Sequence, residues 1–315
     1  MRDTAMSVRL FEDRDLPGVL DLLRASLGES ETLRRTPELF AWKHLENPFG
    51  KSIMLVAEDG DTITGFRAFM RWQLDRPGAA PLQCVRAVDT ATHPDYQRRG
   101  IFRQLTLAAL DVATSDGIDM VFNTPNPRSG AGYLTMGWSQ VGVIRPLASP
   151  ARGILRFSPE TESGPRIDDF VRGAQEVSHW HDRPALGLRT PRSEQYTTWR
   201  FRNHPTATYV QIDGKRGSAV ARLAFRGKRR ELLISDVYGN AMNQTIRQSR
   251  RAARTSYIGA FFSKGSPERS AAYRSGLVPV PGAKLTLMVR ELRTLDVDVT
   301  DFGNWDLSLS DLELL

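Results

Sequence analysis

The sequence predicts an α/β protein made of two copies of one fold. Three observations lead there. Strand and helix patterns follow one another up to Ile144 in the order β-α-α-β-β-β-α-β-α-β, a Pro/Ser/Gly-rich stretch comes next, and two landmarks of the first half recur beyond it in the same order. A chain of 315 residues has the length of two ordinary domains.

Ser7-Val8-Arg9-Leu10-Phe11 reads as a short strand. From Arg14 to Ser26, Leu16, Val19, Leu20, Leu22 and Leu23 recur at helical spacing. Thr36-Pro37-Glu38 opens a second helix, with a cap residue before a proline in the first turn; Leu39, Trp42 and Leu45 share its face, and Asn47-Pro48-Phe49-Gly50 ends it. A strand from Ser52 to Ala57 meets a second from Thr62 to Leu74 across the acidic turn Glu58-Asp59-Gly60-Asp61. A third runs from Leu82 to Thr92. The loop from His93 to Gly100 then feeds an amphipathic helix, Ile101 to Thr114. Asp119 to Asn123 is a strand, Arg128 to Met136 a short helix ended by Gly137, and Ser139 to Ile144 a strand.

The boundary signal is Arg145-Pro146-Leu147-Ala148-Ser149-Pro150, continued by Ser158-Pro159 and Ser163-Gly164-Pro165. Beyond it, Leu188-Arg189-Thr190-Pro191 ahead of Trp199-Arg200 and Pro205 resembles Leu33-Arg34-Arg35-Thr36-Pro37 ahead of Trp42-Lys43 and Pro48. Pro267-Glu268-Arg269-Ser270-Ala271-Ala272-Tyr273 with Gly276 likewise resembles Pro127-Arg128-Ser129-Gly130-Ala131-Gly132-Tyr133 with Gly137. The expected organisation is a domain over 1–147, a linker over 148–165, a diverged copy over 166–290 and an acidic tail over 291–315.

Composition narrows the class. Hydrophobic residues make up 40% and charged residues 25%, values of a soluble globular chain. No apolar run approaches the ~18–20 residues of a membrane span, and the first ten residues have no signal-peptide core, so a cytoplasmic protein is expected. A single cysteine, Cys84, excludes an internal disulfide and a cysteine-held metal; no metal is expected. Residues 1–150 carry 17 basic and 18 acidic side chains, residues 151–290 carry 25 and 11, and residues 291–315 carry one and seven. The basic middle could mark a polyanion partner. However, arginine supplies 37 of the 43 basic residues, as GC-rich codon usage produces, and the acidic tail can fold back to neutralise the segment. Nucleic acid is set aside as a partner on that ground.

Chemistry concentrates in Thr92-His93-Pro94-Asp95-Tyr96-Gln97-Arg98-Arg99-Gly100-Ile101-Phe102-Arg103. It is a strand end, a polar turn and a glycine at a helix start. Unpaired N–H groups and the positive end of the helix dipole suit a phosphate there, Gly100 admits its close approach, and Arg98, Arg99 and Arg103 add charge.

This segment resembles the phosphate loop of the GNAT N-acetyltransferase superfamily, in which V-x-P, an aromatic and Q/R-x-x-G-x-G/A grip the pyrophosphate of acetyl-CoA. Thr92-His93-Pro94, Tyr96 and Gln97-Arg98-Arg99-Gly100-Ile101-Phe102 supply the pattern, with Phe102 where the family usually has Gly or Ala. A second family pattern, N-x-x-A-x-x-x-Y-x-x-x-G-F, is matched by Asn126, Tyr133 and Gly137-Trp138. The resemblance spans about residues 7–146. Together with the internal repeat it implies two GNAT-like mixed β-sheets flanked by helices, the cofactor's pantetheine lying between two splayed strands of the first. It also implies acetyl-CoA, or another acyl-CoA, as co-substrate, held by Thr92, Gln97, Arg98, Arg99, Gly100, Ile101, Phe102 and Asn126. In the second half the strand Glu231 to Val237 runs into Tyr238-Gly239-Asn240-Ala241-Met242-Asn243, which lacks the phosphate loop, so that copy is expected to be degenerate.

Acyl transfer to an amine needs a deprotonated amine, a stabilised carbonyl oxygen and a proton for the leaving thiolate. By the resemblance, backbone N–H on the strand ending at Thr92 polarises the thioester and Tyr133 is the general acid. Asp89 is the candidate base, directly or through a water; strict alternation groups it with Ala87, Ala91 and His93, which leaves open a solvent-facing carboxylate. The chain's own terminal carboxylate is a further candidate. His93 reads as turn chemistry, His179-Trp180-His181-Asp182 as a surface or interface loop, Trp42 and Trp199 as core, Cys84 as a buried thiol, and Lys228-Arg229-Arg230 as a solvated run beside a turn at Gly227.

The expected function is N-acylation, most simply N-acetylation, of a small-molecule amine by direct transfer in a ternary complex. The alternatives are a different acyl donor (a longer acyl-CoA or an aminoacyl-tRNA) and a CoA-binding sensor without turnover. Acceptor identity and oligomeric state have no signal in the sequence.

Overall fold

The computed structural model describes residues 7–29, 34–151, 171, 173–177, 183–226 and 229–312. The expected linker beyond Ala151, His179 to Asp182, the turn at Gly227 and Lys228, and the terminal carboxylate lie outside these residues. The chain forms two compact units. The first comprises Met1–Leu74, Ala80–Gly142 and Thr286–Phe302; the second comprises Asp75–Ala79, Val143–Leu285 and Gly303–Leu315.

The first unit follows the predicted element order. Strand β1 (Ser7–Leu10) precedes helices α1 (Leu16–Leu27) and α2 (Pro37–His44). Then come β2 (Ile53–Asp59), β3 (Thr62–Arg76), β4 (Ala79–Thr92), α3 (Ile101–Ser115), β5 (Met120–Asn123), α4 (Pro127–Thr135) and β6 (Ser139–Ile144). Helix α1 buries Val19, Leu20, Leu22 and Leu23 on the face the spacing indicates. Each such side chain withdrawn from water contributes roughly 1.5–3 kcal/mol. At the start of α2 the Thr36 hydroxyl accepts from the Leu39 N–H at 3.2 Å, with Pro37 beside the cap. Helix α3 lays Ile101, Leu105, Ala109, Leu110 and Ala113 into a core with Val85, Val121, Tyr133 and Trp138.

The second unit contains β7 (Leu147–Pro150), the short helix α5 (Glu194–Thr197), β8 (Tyr209–Gly214), β9 (Gly217–Arg226) and β10 (Arg229–Gly239). Helix α6 (Met242–Ala252), β11 (Tyr257–Ala260), helix α7 (Pro267–Arg274) and β12 (Val278–Pro279) follow. Strand β13 (Leu285–Glu291) and helix α8 (Leu309–Leu312) complete the described chain.

The two sheets have matching orders: β1-β2-β3-β4-β5-β13-β6 in one, and β8-β9-β10-β11-β7-β12, read from its β8 edge, in the other. In each, one parallel pair (β4 with β5, β10 with β11) joins the antiparallel strands before it to an antiparallel strand after it (β13 on β5, β7 on β11). Those last strands are exchanged along the chain. Strand β7 directly follows β6 yet pairs in the second sheet, whereas β13 follows β12 yet pairs in the first.

The exchange changes the expected boundaries. Residues 286–302 belong to the first unit, and residues 291–312 of the expected tail pack as structure, with Val299, Trp305, Leu307 and Leu312 buried. Its acidic residues do neutralise basic ones: Asp306 receives Arg183 at 2.7 Å, and Asp311 receives Arg192 at 2.8 Å. Trp42, Trp199 and Cys84 are buried as the sequence suggests, and burial pushes the Cys84 thiol well above its ordinary value. Among the described residues no helix is long and apolar enough to cross a membrane.

Candidate active site

Strands β4 and β5 pair only over Cys84–Met120, Val85–Val121 and Arg86–Phe122. Strand β4 runs on to Thr92, and beyond Arg86 the two diverge around an open cleft of about 420 Å³. Its walls are Ala87, Asp89, Thr90 and Thr92 of β4, Asn123 of β5, Asn126, Gly132 and Tyr133 at α4, and Phe102 of α3. Of the predicted site residues, the structure thus brings Asp89, Thr92, Phe102, Asn126 and Tyr133 together.

Gln97, Arg98, Arg99 and Gly100 are exposed at the start of α3, while Ile101 turns into the core. Gly100 caps the helix in the left-handed region, φ +79°, where other residues are strained, and a Cβ there would meet nothing within 4 Å. The first helical bond runs from the Gln104 N–H to the Gly100 carbonyl at 3.0 Å, so the first-turn amides face outward from the cap. Arg99 braces the loop, donating to the Asp95 carbonyl at 3.2 Å and lying 4.6 Å over the Tyr96 ring. His93 accepts from the Asp95 N–H at 3.3 Å, a turn contact as its position indicates.

Asp89 is not a solvent-facing carboxylate. Its φ of +44° breaks the alternation of β4, and its side chain is 12% exposed. Lys43 Nζ lies 2.7 Å from Oδ2, His44 Nε2 3.0 Å from the same oxygen, and Arg35 3.6 Å from Oδ1. Burial alone would raise this carboxyl, but the Lys43 charge and the His44 hydrogen bond outweigh it and hold Asp89 well below the usual carboxylate range. His44 is itself buried; desolvation lowers its value despite Asp89, and its Nδ1 lies 3.0 Å from Ser52 Oγ.

Tyr133 is 3% exposed, and its hydroxyl oxygen accepts from Arg67 Nη1 at 2.7 Å. Arg67, on β3, is wholly buried and also donates to Thr90 Oγ1. The Phe102 ring meets Tyr133 edge to face at 5.3 Å. A Cβ on Gly132 would lie 2.9 Å from Phe102 Cε1, so the bulky residue in the phosphate-loop pattern is matched by an absent side chain opposite. Asn126 caps α4, its Oδ1 accepting from the Ser129 N–H at 2.9 Å. Asn123 Oδ1 is buried at the cleft with no partner among the described residues, an acceptor left for a ligand N–H.

These features fit an acyl-CoA. The first turn of α3 offers N–H groups and arginines to a diphosphate, and the diverging strands offer a slot with a free amide acceptor to the thioester arm. Sequence reasoning missed Lys43, His44, Arg67 and Thr90. Lys43 carried a signal, as the basic residue after the repeated Trp. Arg67 carried a fainter one, a charge between Phe66 and Ala68 in an apolar strand.

The second unit differs at the same place. Its strands β10 and β11 pair from Glu231–Tyr257 to Ile234–Ala260 and then part. The chain's own residues fill that parting: Ser263 N–H donates to the Leu307 carbonyl at 2.8 Å, and Ser310 Oγ to Asp236 Oδ2 at 2.6 Å. What remains beside Asp236 is a cavity of about 20 Å³, room for roughly one water.

Comparison with known proteins agrees with this geometry. Residues 7–141 match the family model described as an acetyltransferase (GNAT) domain. A GCN5-related N-acetyltransferase from Anabaena variabilis is 13% identical with a TM-score of 0.60, the match covering 92% of this chain and 73% of that one. A probable N-acyltransferase of Enterococcus faecalis V583 is 15% identical with a TM-score of 0.61, over 92% and 73%. A putative acetyltransferase from Pyrococcus horikoshii is 12% identical with a TM-score of 0.55, over 100% and 96%. At these identities the likeness is one of fold, and it extends beyond residues 7–141. No curated protein matches the sequence.

Proposed function

We propose, from the premise that residues 7–141 belong to the GNAT acetyltransferase family, that this acyltransferase moves the acyl group of an acyl-CoA, most simply acetyl-CoA, onto the amine of a small molecule within a ternary complex. The observation that carries the reading is the divergence of β4 and β5 beyond Arg86, with Thr92, Phe102 of the first turn of α3 and Tyr133 all lining the cleft. Thr92, Gln97, Arg98, Arg99, Gly100, Ile101, Phe102 and Asn126 form the donor site, Gly100 and the first-turn amides taking the diphosphate. Tyr133 gives its proton to the leaving sulfur. Its oxygen already accepts from Arg67, so its hydrogen is available elsewhere.

Asp89 takes a different role from that of a free base. A carboxylate held so far below its ordinary range is a weak proton acceptor. It pairs instead with the buried Lys43 and His44 of α2, and the amine loses its proton to solvent. The second unit is a degenerate copy that takes no donor, its gap being filled by residues 307–310.

The test is thermal unfolding of wild type and Gly100→Glu with acetyl-CoA. At ~100 times the dissociation constant the ligand adds about 2.7 kcal/mol. That is a midpoint rise of roughly 5–10 °C. The rise is expected in wild type and not in the variant; an equal rise in both places the donor elsewhere. Binding with no thiol release across a panel of primary amines replaces the enzyme with a CoA sensor.

A further inference from the structure

Arg67 is a costly residue to bury. It is fully buried, and Nε and Nη2 have no hydrogen-bond partner among the described residues. No carboxylate of the described residues pairs with it. Its surroundings are rings: the guanidinium carbon lies 4.8 Å from the Phe69 centroid, 5.3 Å from Tyr133 and 5.8 Å from Phe102. Such faces attract a cation, but by less than its desolvation costs. A neutral side chain of similar shape would pack there at smaller cost. What the guanidinium does touch is chemical: Nη1 donates to the Tyr133 hydroxyl oxygen and to Thr90, both in the cleft wall.

We propose that Arg67 is the positioning residue of the transfer, a buried cation kept without a carboxylate so that it pairs with the negative charge that appears on the Tyr133 oxygen during turnover. The inference rests on the reading of Tyr133 as general acid. The amine lone pair forms the C–N bond as the C–S bond breaks; the sulfur's electron pair takes the Tyr133 proton, giving the free thiol and a phenolate. The phenolate lies 2.7 Å from Nη1 and recovers its proton, through solvent, from the nitrogen that became the amide. A resident carboxylate would spend the Arg67 charge in the ground state. Its absence reserves that charge for the transition state. The same hydrogen bond fixes the phenol's lone pair toward β3, which leaves the O–H to point away from Arg67.

The experiment compares Tyr133→Phe, Arg67→Gln, Arg67→Lys and the double variant Arg67→Gln/Tyr133→Phe. The probe is acetyl-CoA with whichever primary amine the wild type turns over fastest, and release of free thiol is followed. Tyr133→Phe is expected to lower kcat about 100-fold. Arg67→Gln should lower kcat at least ~10-fold with KM for acetyl-CoA unmoved, and Arg67→Lys should recover most of it because the charge is restored. The double variant should be no slower than Tyr133→Phe alone, since Arg67 acts through that oxygen. Wild-type activity in Tyr133→Phe overturns the general-acid reading itself. A slow Tyr133→Phe beside an unimpaired Arg67→Gln, equal activity of the Gln and Lys variants, or losses that multiply in the double variant overturn the role of Arg67 while leaving Tyr133 in place. Should Arg67→Gln fail to fold, Arg67→Met against Arg67→Met/Tyr133→Phe carries the same comparison: losses that multiply overturn the role, and losses that do not support it.

Discussion

Asp89 and Asp236 stand at matching positions of the two sheets. Each lies five residues along its strand from the residue opposite the first position of the parallel neighbour, Cys84 opposite Met120 and Glu231 opposite Tyr257. The backbone is irregular at both, with a left-handed Asp89 in β4 and a register shift between Ile234 and Asp236 in β10. Both carboxylates are met by cations from the segment before the sheet's long strands, Lys43 in one unit and Arg192 in the other. Their electrostatics diverge. Asp89 has a cation and an imidazole and is held low; Asp236 is pushed up, by burial first, against the pull of Arg192 and with the help of the neighbouring Asp311 charge.

Acid should weaken the first unit in two steps. His44 lies below its ordinary value of 6.5 in the fold, so its stabilising contribution is whole above that pH and declines as pH falls below it. Asp89 lies below its ordinary 3.8, so its contribution is whole above about pH 4 and is lost on further acidification. Asp89→Asn should cost about 3 kcal/mol at pH 7 by stranding Lys43, and should flatten the lower step. Urea titrations at pH 7, 5 and 2.5 measure both.

Gly132→Ala should lower stability by ~1–3 kcal/mol, because the new methyl must displace the Phe102 ring. Adding Phe102→Leu should return most of the loss. Thermal melts of the three proteins decide it; additive losses in the double variant would show that the two positions do not share a space.

In the second unit, Arg192 is 1% exposed and bonds Asp236, Asp311, Ser308 and Ser310. Arg192→Met should cost about 3–5 kcal/mol by leaving two buried carboxylates without a cation. Replacing Asp236 and Asp311 with Asn in the same chain should recover part of that, since no stranded charge then remains. Denaturant midpoints of the single and triple variants measure the difference.

Residues 1–147 expressed alone should be poorly soluble and fail to bind acetyl-CoA. Without β13, strand β5 offers an open hydrogen-bonding edge beside buried Val121 and Phe122. The same fragment followed by a flexible linker and residues 285–302 should be soluble, and size-exclusion chromatography of the two distinguishes the cases.

The elements of the first unit were legible because each has a local cause: the leucine spacing of α1, the Thr36-Pro37 cap, the Glu58 to Asp61 turn, the Gly100 start of α3. The turn from His93 to Gly100 is contiguous, so the helix start it feeds could also be read. The strand exchange was not, because β7 and β13 are short strands whose partners are chosen by sheet edges distant in sequence. The pairing of Asp89 with Lys43 and His44, and the burial of Arg67 against Tyr133, depend on where three separate elements meet. Alternation misplaced Asp89 because one left-handed residue is enough to turn a strand's faces.

The exchanged strands also bear on how such a chain could shrink. A half that no longer handles a donor would ordinarily be free to disappear by deletion. Here the second half is followed by the strand that lies between β5 and β6, and the first half is followed by the strand that lies between β11 and β12. A deletion reaching from the second half through β13 would therefore unmake the sheet that carries Tyr133. The second half is tied to the first by connectivity, whatever it does or does not bind.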